Sequence, residues 1–520
     1  MPGPISFSLA DLAGQQISFP DKRPGVVCFI KEDCPTCREI MPVLAAMFDA
    51  FAEHIDFHVI GQTAAGNQQL IDEFQPPFNI LDDSTLKVSF TTDIETVPTL
   101  LLTDAQGGTE SERIGFVRDE WQALVSDMLN RFGVSECALD WPSLPEWRPG
   151  CGSLSVDPTH AERLRAEADN SPIRARRIAV GALDDEFEFM FDQGFSDGLP
   201  VIPPTPERVM RMLSGTARDA QEVVAVAPPN MAKVTVEKVA INCVLAGCKP
   251  EYLPVVIAAV EAVCTDEFNI HGVMATTMGA SPVMVINGPI RHRIEMNMGL
   301  GALGQGNRAN ATIGRALRLV IRNVGGAKPG GTERSTFSNP MKFTMCFAEW
   351  EERSCWAPLH VDRGFAIDES VVTVFAMSGG PTLIIDETSL DGDALAGTIG
   401  EGTTAMLNAK AYGFSNCLMV VSPEHVDTFE RSNYSKNQVR RRMQESSEKT
   451  VRELSGPGLT PEQLAQMDEA ALSVRKSKFG TDEDIDIVVA GSEAGKCTGF
   501  FHGWIPRSIG SIPVSRKIED

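Results

Sequence analysis

The sequence lacks long apolar runs and any excess of basic residues. No window approaches the ~18 apolar residues that a membrane span needs, and the N-terminus, MPGPISFSLADLAGQQ, lacks the basic region and apolar core of a targeting segment. Acidic residues (70) outnumber basic residues (46), giving a formal net charge of −24. That charge argues against nucleic acid or an anionic membrane as a partner. We therefore expect a cytoplasmic protein.

The chain also lacks the composition of a disulfide-stapled secreted protein. It has 12 cysteines in 520 residues, and in a reducing compartment most of these are expected to be free, buried or catalytic. The hydrophobic fraction of 43% and the charged fraction of 22% are those of a globular protein. The length suggests about three domains, which we interpret as two functional units.

A pair of cysteines opens the first predicted helix. Residues 25–30, GVVCFI, are predicted to be a short buried strand in which Cys28 is inert core, and CPTC follows at residues 34–37. A thiol at a helix N-terminus meets unpaired amides that stabilise its thiolate and lower its pKa. We therefore predict that Cys34 is the attacking thiolate and that Cys37 resolves the mixed disulfide.

The elements around this motif resemble the thioredoxin family. After the motif come a strand (IDFHVIGQ), a polar helix, a strand–turn–strand unit that begins with the tripeptide VPT, and a terminal helix. The resemblance covers residues 1–132 and implies that Pro98 is a cis proline facing the dithiol. Zinc sites also use CxxC, but a structural zinc needs a second ligand pair, and none occurs before Cys137. The motif therefore favours dithiol redox chemistry over a metal.

Residues 133–180 are predicted to be a linker, first rich in proline, tryptophan and glycine and then highly charged. Trp141 and Trp147 could pack it onto a domain. Cys151, which a glycine follows, suits a relay between two active sites, and an ordinary loop cysteine is the alternative. The tripeptide CGS at Cys151 also resembles the UGSC motif of selenoproteins, whose first position is a redox-active selenocysteine; Leu154 stands where that motif has its cysteine.

Residues 181–520 are predicted to form a larger mixed α/β (α+β) unit, with two subdomains, 181–365 and 366–520, as one option. Two of its helices are predicted to form a hairpin. Cys248 lies at the end of the first of these, beside Lys249, in an electropositive place that makes it a candidate reactive thiol. The segments GFSDGLPVIPPTPERV and RANATIGRALRLVIRNVGG are similar to uncharacterised bacterial proteins, a resemblance that implies no activity.

A glycine-rich loop precedes an amphipathic helix in this unit. A GxGxxG pattern begins at Gly299, but no strand directly precedes it and no acidic residue follows at ~20 positions. We therefore predict neither NAD nor FAD. The loop delivers Asn307, Arg308 and Asn310 to a helix start, where exposed amides bind carboxylate or phosphate. These three side chains are predicted to bind an anionic substrate.

A dense polar cluster follows in MCFAEWEERSCWAPLHVDRGF. Strand alternation would place Glu349 and Glu351 on one face. Together with Cys355 and His360, they suit either proton transfer or a metal. The spacing matches no established zinc signature, so we predict contact with a substrate.

The last predicted strand, DIDIVVA, leads into a loop that looks like a phosphate-binding loop only in part. The loop is one residue short, and Cys497 stands in place of Ser or Thr, so we reject ATP binding. Cys497 and His502 nonetheless follow a strand C-terminus, where open α/β sheets place their ligands. They are predicted to act as nucleophile and base.

Together these features predict an oxidoreductase that couples thiol–disulfide exchange to small-molecule chemistry. A cysteine of the C-terminal unit would attack or reduce a small, anionic molecule, with reductive or carbon–heteroatom bond-cleaving chemistry. The fused dithiol would recycle that cysteine at high effective concentration, with electrons from a cellular thiol reductant. The predicted catalytic residues are Cys34, Cys37, Pro98, Cys151, Cys248, Cys355, Cys497 and His502. The predicted substrate-binding residues are Asn307, Arg308, Asn310, Glu349, Glu351 and His360.

Three alternatives stay open at this stage. The protein could handle a soft metal or metalloid with thiol ligands, reduce protein disulfides in general, or act as a redox-regulated binding module without turnover. No cofactor is predicted beyond the dithiol itself, and a homo-oligomer is left open.

Overall fold

The computed structural model describes residues 4–168, 171–178, 180–181, 185–406, 408, 410–455 and 458–519. The chain divides into two units, Met1–Ile178 and Ala179–Asp520. Within the described ranges, no helix is both long enough and apolar enough to span a membrane.

The first unit combines short strands with helices. Its strands are β1 (Phe7–Ala10), β2 (Gln16–Phe19), β3 (Gly25–Ile30), β4 (Asp56–Gly61), β5 (Ile80–Asp82), β6 (Thr96–Val97), β7 (Thr99–Thr103), β8 (Thr109–Ile114), β9 (Phe116–Val117), β10 (Trp147–Arg148) and β11 (Cys151–Gly152). Its helices are α1 (Pro35–Phe51), α2 (Ala64–Phe74), α3 (Lys87–Thr91), α4 (Arg118–Phe132) and α5 (Pro158–Ala168).

Five of these strands form a mixed sheet in the order β5-β4-β3-β7-β8. The central strand β3 pairs in parallel with β4 and antiparallel with β7. All six residues of β3 are buried, because buried side chains of α1 and α4 join them in one hydrophobic core. The predicted strand at 25–30 and the α/β, thioredoxin-like order of elements are confirmed. The Val97–Pro98 peptide bond is cis, as the resemblance implied.

The segment interpreted as a linker belongs largely to this first unit. Strand β10 pairs with β9, and β11 pairs with β6. Trp141 and Cys137 pack against the hydrophobic core, whereas the Trp147 side chain is 62% exposed. Because strand pairing and core contacts hold this segment, residues 133–168 are part of the fold rather than a free linker.

The second unit contains the longest strand of the described chain. Its strands are β12 (Val223–Ala227), β13 (Ala232–Thr235), β14 (Ser281–Asn287), β15 (Cys346–Ala348), β16 (Val371–Ile385), β17 (Cys417–Val421), β18 (Lys449–Thr450), β19 (Arg475–Lys476), β20 (Ile485–Val489), β21 (Cys497–Gly503) and β22 (Val514–Lys517). Its helices are α6 (Glu186–Asp192), α7 (Pro206–Leu213), α8 (Val236–Ala246), α9 (Leu253–Val263), α10 (Ile270–Ala275), α11 (Ile290–Arg293), α12 (Arg308–Asn323), α13 (Leu359–Asp362), α14 (Gly392–Thr403), α15 (Pro423–Arg431), α16 (Lys436–Ser446), α17 (Val451–Ser455), α18 (Pro461–Ala465) and α19 (Glu469–Leu472).

A single seven-stranded sheet organises this unit. Its order is β15-β14-β16-β21-β17-β20, with β22 also paired to β16. Strands β17 and β20 pair in parallel. Strands β14 and β15 precede residue 365 and pair within the same sheet as strands that follow it. The suggested division into 181–365 and 366–520 is therefore wrong, because the sheet is continuous across that point.

The predicted helical hairpin is confirmed as α8 and α9. Helix α8 ends at Gly247, whose φ of +87° lies in the left-handed region that favours glycine. A short 3₁₀ turn, Pro250–Tyr252, then leads into α9. Helix α12 packs against both helices of the hairpin. This arrangement places the end of α8 beside the start of α12.

Candidate functional site

The first redox cysteine lies at the junction of β3 and α1. Cys34 is the N-cap residue of α1, and Pro35 occupies the first helical turn, where its missing amide costs no hydrogen bond. Both Cys34 and Cys37 are fully buried. The Cys34 sulfur lies 3.4 Å from the Val97 carbonyl oxygen, and the Lys31 amide donates to the Cys37 sulfur at 3.4 Å. The predicted dithiol is thus assembled at the start of the helix.

The environment separates the acidities of these two thiols. A hydrogen bond from the Cys37 thiol lowers the pKa of Cys34 to about 5, and the Cys151 thiol and the amides of Cys37 and Thr36 add to the effect against the opposing influence of burial. Burial, together with the adjacent Cys34 sulfur, raises the pKa of Cys37. At neutral pH Cys34 is therefore a thiolate and Cys37 a thiol, which is the pairing that the sequence predicted.

A third thiol completes the cluster. Strand β11 pairs antiparallel with β6, so that Cys151 lies opposite Val97, directly before Pro98. The Cys151 side chain interacts with Cys34. Burial is the main cause that raises the pKa of Cys151 to about 11, and the hydrogen bond to Cys34 and the Cys34 charge raise it further. Cys151 is therefore a protonated donor to the Cys34 thiolate. Unlike Cys34, it retains partial exposure.

The segment that carries Cys151 is fastened on both sides. The Thr36 hydroxyl donates to the Pro149 carbonyl at 2.6 Å, and the Lys31 ammonium donates to the Gly152 carbonyl at 3.2 Å. A Cβ added at Gly150 would lie only 2.2 Å from a methyl carbon of Thr96. Only glycine therefore allows the close approach of this segment to β6.

Buried polar side chains hold the residues after Cys151. The Gln62 amide donates to the Ser153 hydroxyl at 2.6 Å, and its oxygen accepts from the Leu154 amide at 3.0 Å. Gln62 and Ser153 are 1% and 3% exposed. Sequence reasoning missed Gln62, although a glutamine at the end of an otherwise buried strand is a polar group that needs a partner. The CGS tripeptide thus lies at the dithiol and is anchored there.

The low pKa of Cys34 can be tested by the ultraviolet absorbance of its thiolate. We expect the ultraviolet absorbance difference between the wild-type protein and Cys34→Ser to titrate with a midpoint near pH 5. Cys151→Ala should move that midpoint to higher pH, because it removes a hydrogen-bond donor to the Cys34 thiolate. Cys137→Ala is the matched control, since that thiol has a pKa raised to about 11 by burial. Equal midpoints in all three backgrounds would contradict the assigned role of Cys151.

In the second unit, the structure brings Cys248 and Arg308 together. Cys248 is 6% exposed and donates to the Thr312 carbonyl at 3.4 Å. The Arg308 guanidinium donates to the Gly247 carbonyl at 2.9 Å. Both residues line one cleft of about 410 Å³. The predicted anion ligand and the predicted reactive thiol therefore share a cavity.

The two asparagines predicted to bind the substrate serve the loop instead. Asn307 caps α12 by accepting from the Asn310 amide at 3.0 Å, and it donates to the Glu295 carbonyl at 2.8 Å. Asn310 is 3% exposed and donates to the carbonyls of Asn297 and Ala302. Because their hydrogen-bonding groups are used within the loop, the prediction of substrate contact is corrected for both.

The predicted carboxylate cluster is buried. Glu349 and Glu351 both accept from the Asn287 side chain, at 2.6 and 3.0 Å. The prediction from strand alternation is nonetheless wrong, because β15 ends at Ala348 and Glu351 begins a 3₁₀ turn. Glu349 and His360 have no exposed surface, and burial raises the pKa of Glu349. His360 lies 3.9 Å from Glu351 through Nδ1. Glu349 and His360 are inaccessible to a substrate, so their predicted substrate-binding role is corrected; Glu351 is half-buried, and its carboxylate is paired with Arg291.

The remaining predicted catalytic residues are not assembled. Cys497 and His502 both lie within strand β21 rather than in a loop. Four residues lie between them, which puts their Cα atoms roughly 16 Å apart along the strand, too far for a nucleophile and its base. His502 is instead hydrogen-bonded to Thr382 at 3.0 Å. The Cys355 residue as a whole is exposed, but its sulfur is partly desolvated. This desolvation, and to a lesser extent the negative charge of Glu430, raises the pKa of Cys355 to about 11. Among the described residues, no group of three or more His, Cys, Asp or Glu side chains could hold a metal ion.

Comparison with known proteins yields matches to solved structures. No protein-family model matches the sequence, and no curated protein matches it. StoA from Bacillus subtilis is 22% identical, with 24% of this chain and 99% of StoA covered and a TM-score of 0.22. A secreted Mycobacterium tuberculosis disulfide oxidoreductase homologous to E. coli DsbE is 19% identical over 24% of this chain and 96% of its own, with a TM-score of 0.22.

A third match is a putative thiol:disulfide interchange protein DsbE from Chlorobium tepidum. It is 18% identical over 25% of this chain and 97% of its own, with a TM-score of 0.23. The similarities therefore extend over about a quarter of this chain. The thioredoxin-like fold of residues 4–132 follows from the strand order, the CPTC turn and the cis proline of the structure itself.

Proposed function

We propose that the first unit is a thiol–disulfide oxidoreductase that works with three thiols rather than two. The observation that carries the proposal is the hydrogen-bonded cluster of Cys34, Cys37 and Cys151, in which one sulfur is a thiolate at neutral pH and two are thiols. A thiolate in contact with a thiol on each side is ready to form a disulfide with either neighbour.

Burial decides the order in which the thiols act. Cys34 and Cys37 are fully buried, whereas Cys151 is partly exposed, so Cys151 is the thiol that meets an outside disulfide. Exchange at Cys151 releases one substrate thiol and leaves a mixed disulfide on Cys151. The Cys34 thiolate then attacks the Cys151 sulfur, and the second substrate sulfur leaves as a thiolate.

The last step closes the cycle. The Cys37 thiol loses its proton and attacks the Cys34 sulfur, and the freed Cys151 thiolate takes up a proton. Two electrons have then passed to the substrate, whose disulfide has become two thiols, and the protein holds a Cys34–Cys37 disulfide. A cellular thiol reductant restores the dithiol by the same chemistry in reverse.

The proposal extends to the role of the whole chain. Because both units belong to one chain, exchange between this dithiol and an accessible thiol of the second unit would be intramolecular and would proceed at a high effective concentration. We therefore retain the hypothesis that the first unit recycles a thiol of a small-molecule enzyme in the second unit. Cys248 favours this reading, because it lies in a cleft with several cationic side chains. A general protein-disulfide reductase would instead undergo thiol–disulfide exchange with disulfides of other proteins.

Cys37→Ser tests the three-thiol proposal. In this variant the final attack is blocked, so mild oxidation of the reduced protein with diamide should yield a Cys34–Cys151 disulfide as the main product, identified by peptide mass mapping. Cys137→Ser is the matched control and should yield Cys34–Cys37 instead, because its dithiol is intact. A Cys37→Ser protein that forms only intermolecular disulfides would contradict the role of Cys151.

The same approach separates the two readings of the whole chain. In Cys34→Ser, a mixed disulfide that forms on Cys151 is not attacked by Cys34 and therefore accumulates. The recycling hypothesis expects a crosslink to a cysteine of residues 179–520, whereas a general reductase expects crosslinks to added substrate proteins. Crosslinks to added protein alone would count against recycling.

A further inference from the structure

A basic cleft lies between three elements of the second unit. Helix α7 contributes Arg208 and Arg211, the turn after α8 contributes Cys248 and Lys249, and the start of α12 contributes Arg308. The cleft has a volume of about 410 Å³, within the range of roughly 300–1,000 Å³ that small-molecule sites occupy. The volume of this cleft is therefore that of a binding site for a small molecule rather than for a macromolecule.

The charge of this cleft is opposite to that of the chain. Four cationic side chains and no carboxylate line it, although the protein carries a net charge of −24. Of these four, within the described residues, only Lys249 makes an ion pair, at 3.8 Å from Glu295, whose side chain is 82% exposed. Uncompensated like charges repel one another, and a bound anion would relieve that repulsion.

Backbone contacts hold two of these guanidinium groups in place without neutralising them. Arg208 donates to the Pro203 carbonyl at 2.8 Å, and Arg308 donates to the Gly247 carbonyl at 2.9 Å. Their remaining N–H groups are left for a ligand, and a guanidinium matches the geometry of carboxylate and phosphate. The cleft therefore suits a small molecule that carries such groups.

A second pair of thiols lies at this cleft. Cys248 follows the end of α8, and its amide donates to the carbonyl of Cys243 at 2.9 Å. Cys243 has no exposed surface, and burial together with the neighbouring Cys248 thiol raises its pKa. Two thiols within hydrogen-bonding distance of each other can exchange two electrons as a dithiol.

We propose that this cleft binds a small anionic disulfide and that Cys248 and Cys243 reduce it. The Cys248 sulfur, once deprotonated, attacks one substrate sulfur, and the other substrate sulfur leaves as a thiolate. Cys243 then loses its proton and attacks the Cys248 sulfur, which releases the second substrate thiolate and leaves a Cys243–Cys248 disulfide. The proposal rests on the proposed function only for regeneration, in which the Cys34–Cys37 dithiol is the reductant.

The test uses two disulfide probes of different charge. Every protein in this test is the full chain carrying Cys34→Ser and Cys37→Ser, so that the first dithiol cannot react with either probe. Dithiobis(nitrobenzoate), a dianion, should react in a phase that Cys248→Ser removes, and inorganic pyrophosphate should slow this phase by competition. Arg211→Ala combined with Arg308→Ala should slow the phase about ten-fold, whereas reaction with the uncharged dithiodipyridine should change less than about two-fold.

The controls make each outcome decisive. Arg441→Ala removes one positive charge from an exposed position outside the cleft and should leave the anionic probe's rate unchanged. Peptide mapping after the reaction should find the Cys243–Cys248 disulfide. The proposal is overturned by a reaction that does not depend on Cys248, by equal slowing of both probes in the arginine variant, or by a stable mixed disulfide at Cys248 alone. None of these failures would bear on Cys34 and Cys37, which are absent from the test protein.

Discussion

Cys34→Ser is expected to slow thiol–disulfide exchange by the first unit by on the order of a thousand-fold or more. A serine hydroxyl does not ionise at neutral pH and cannot form a disulfide. Cys151 can still form a mixed disulfide with the substrate, but the serine cannot attack it, and Cys37 is fully buried with a raised pKa. The measurement is the rate at which the reduced protein converts glutathione disulfide to glutathione.

Cys137→Ser is the matched control for that loss. Cys137 lies in the same unit, is half-buried and donates to the Ala46 carbonyl at 3.4 Å, but it is not among the hydrogen-bonded neighbours of Cys34. We expect its replacement to leave the rate close to that of the wild type. A Cys34→Ser protein that retained a substantial share of the wild-type rate would show that the exchange does not need the Cys34 thiolate.

Arg291→Ala is expected to lower the free energy of unfolding of the second unit by about 3–5 kcal/mol. Arg291 is 3% exposed and donates to the Glu349 carbonyl at 2.7 Å. It also pairs with Glu351 at 2.8 Å and with Glu352 at 3.0 Å. Its removal would leave the nearly buried Glu351 carboxylate without its cation, and this loss of a partner, rather than the net strength of the pair, causes the effect.

Urea unfolding of the full chain, followed by tryptophan fluorescence, measures this change. The comparison is Arg441→Ala, which removes the same charge from an exposed position and should alter stability by less than about 0.5 kcal/mol. If the two variants unfold at the same urea concentration, the buried network does not depend on Arg291.

Local signals in the sequence were sufficient for the elements of the first unit. The apolar run of residues 25–30, the helical period after CPTC and the turn before the last strand each depend on neighbours along the chain. The same holds for the αα-hairpin, whose first helix ends at a glycine in the left-handed conformation. Such features could be predicted because strand alternation, helix period and capping act over a few residues.

Long-range pairing explains where the sequence predictions were wrong. Cys497 and His502 were expected in a loop, but the strand β21 continues through both because it pairs with β16 and β17. Asn310 was expected to contact a substrate, but its side-chain amide donates hydrogen bonds to two carbonyl groups of the loop that precedes α12. In each case a distant partner, invisible to periodicity, decided what the side chain contacts.

The sequence by itself determined the strand-to-helix turn that places Cys37 one helical turn after Cys34, so that the Cys37 thiol and, to a lesser extent, the helix amides lower the pKa of Cys34. Only the tertiary structure brought Cys151 to that sulfur, through the pairing of β11 with β6, and gathered Arg208, Arg211 and Arg308 around Cys248. The physical reason is the range of the forces involved. A helix terminus is built from consecutive residues, whereas a third thiol and a basic cleft need segments that only the burial of a common core can bring together.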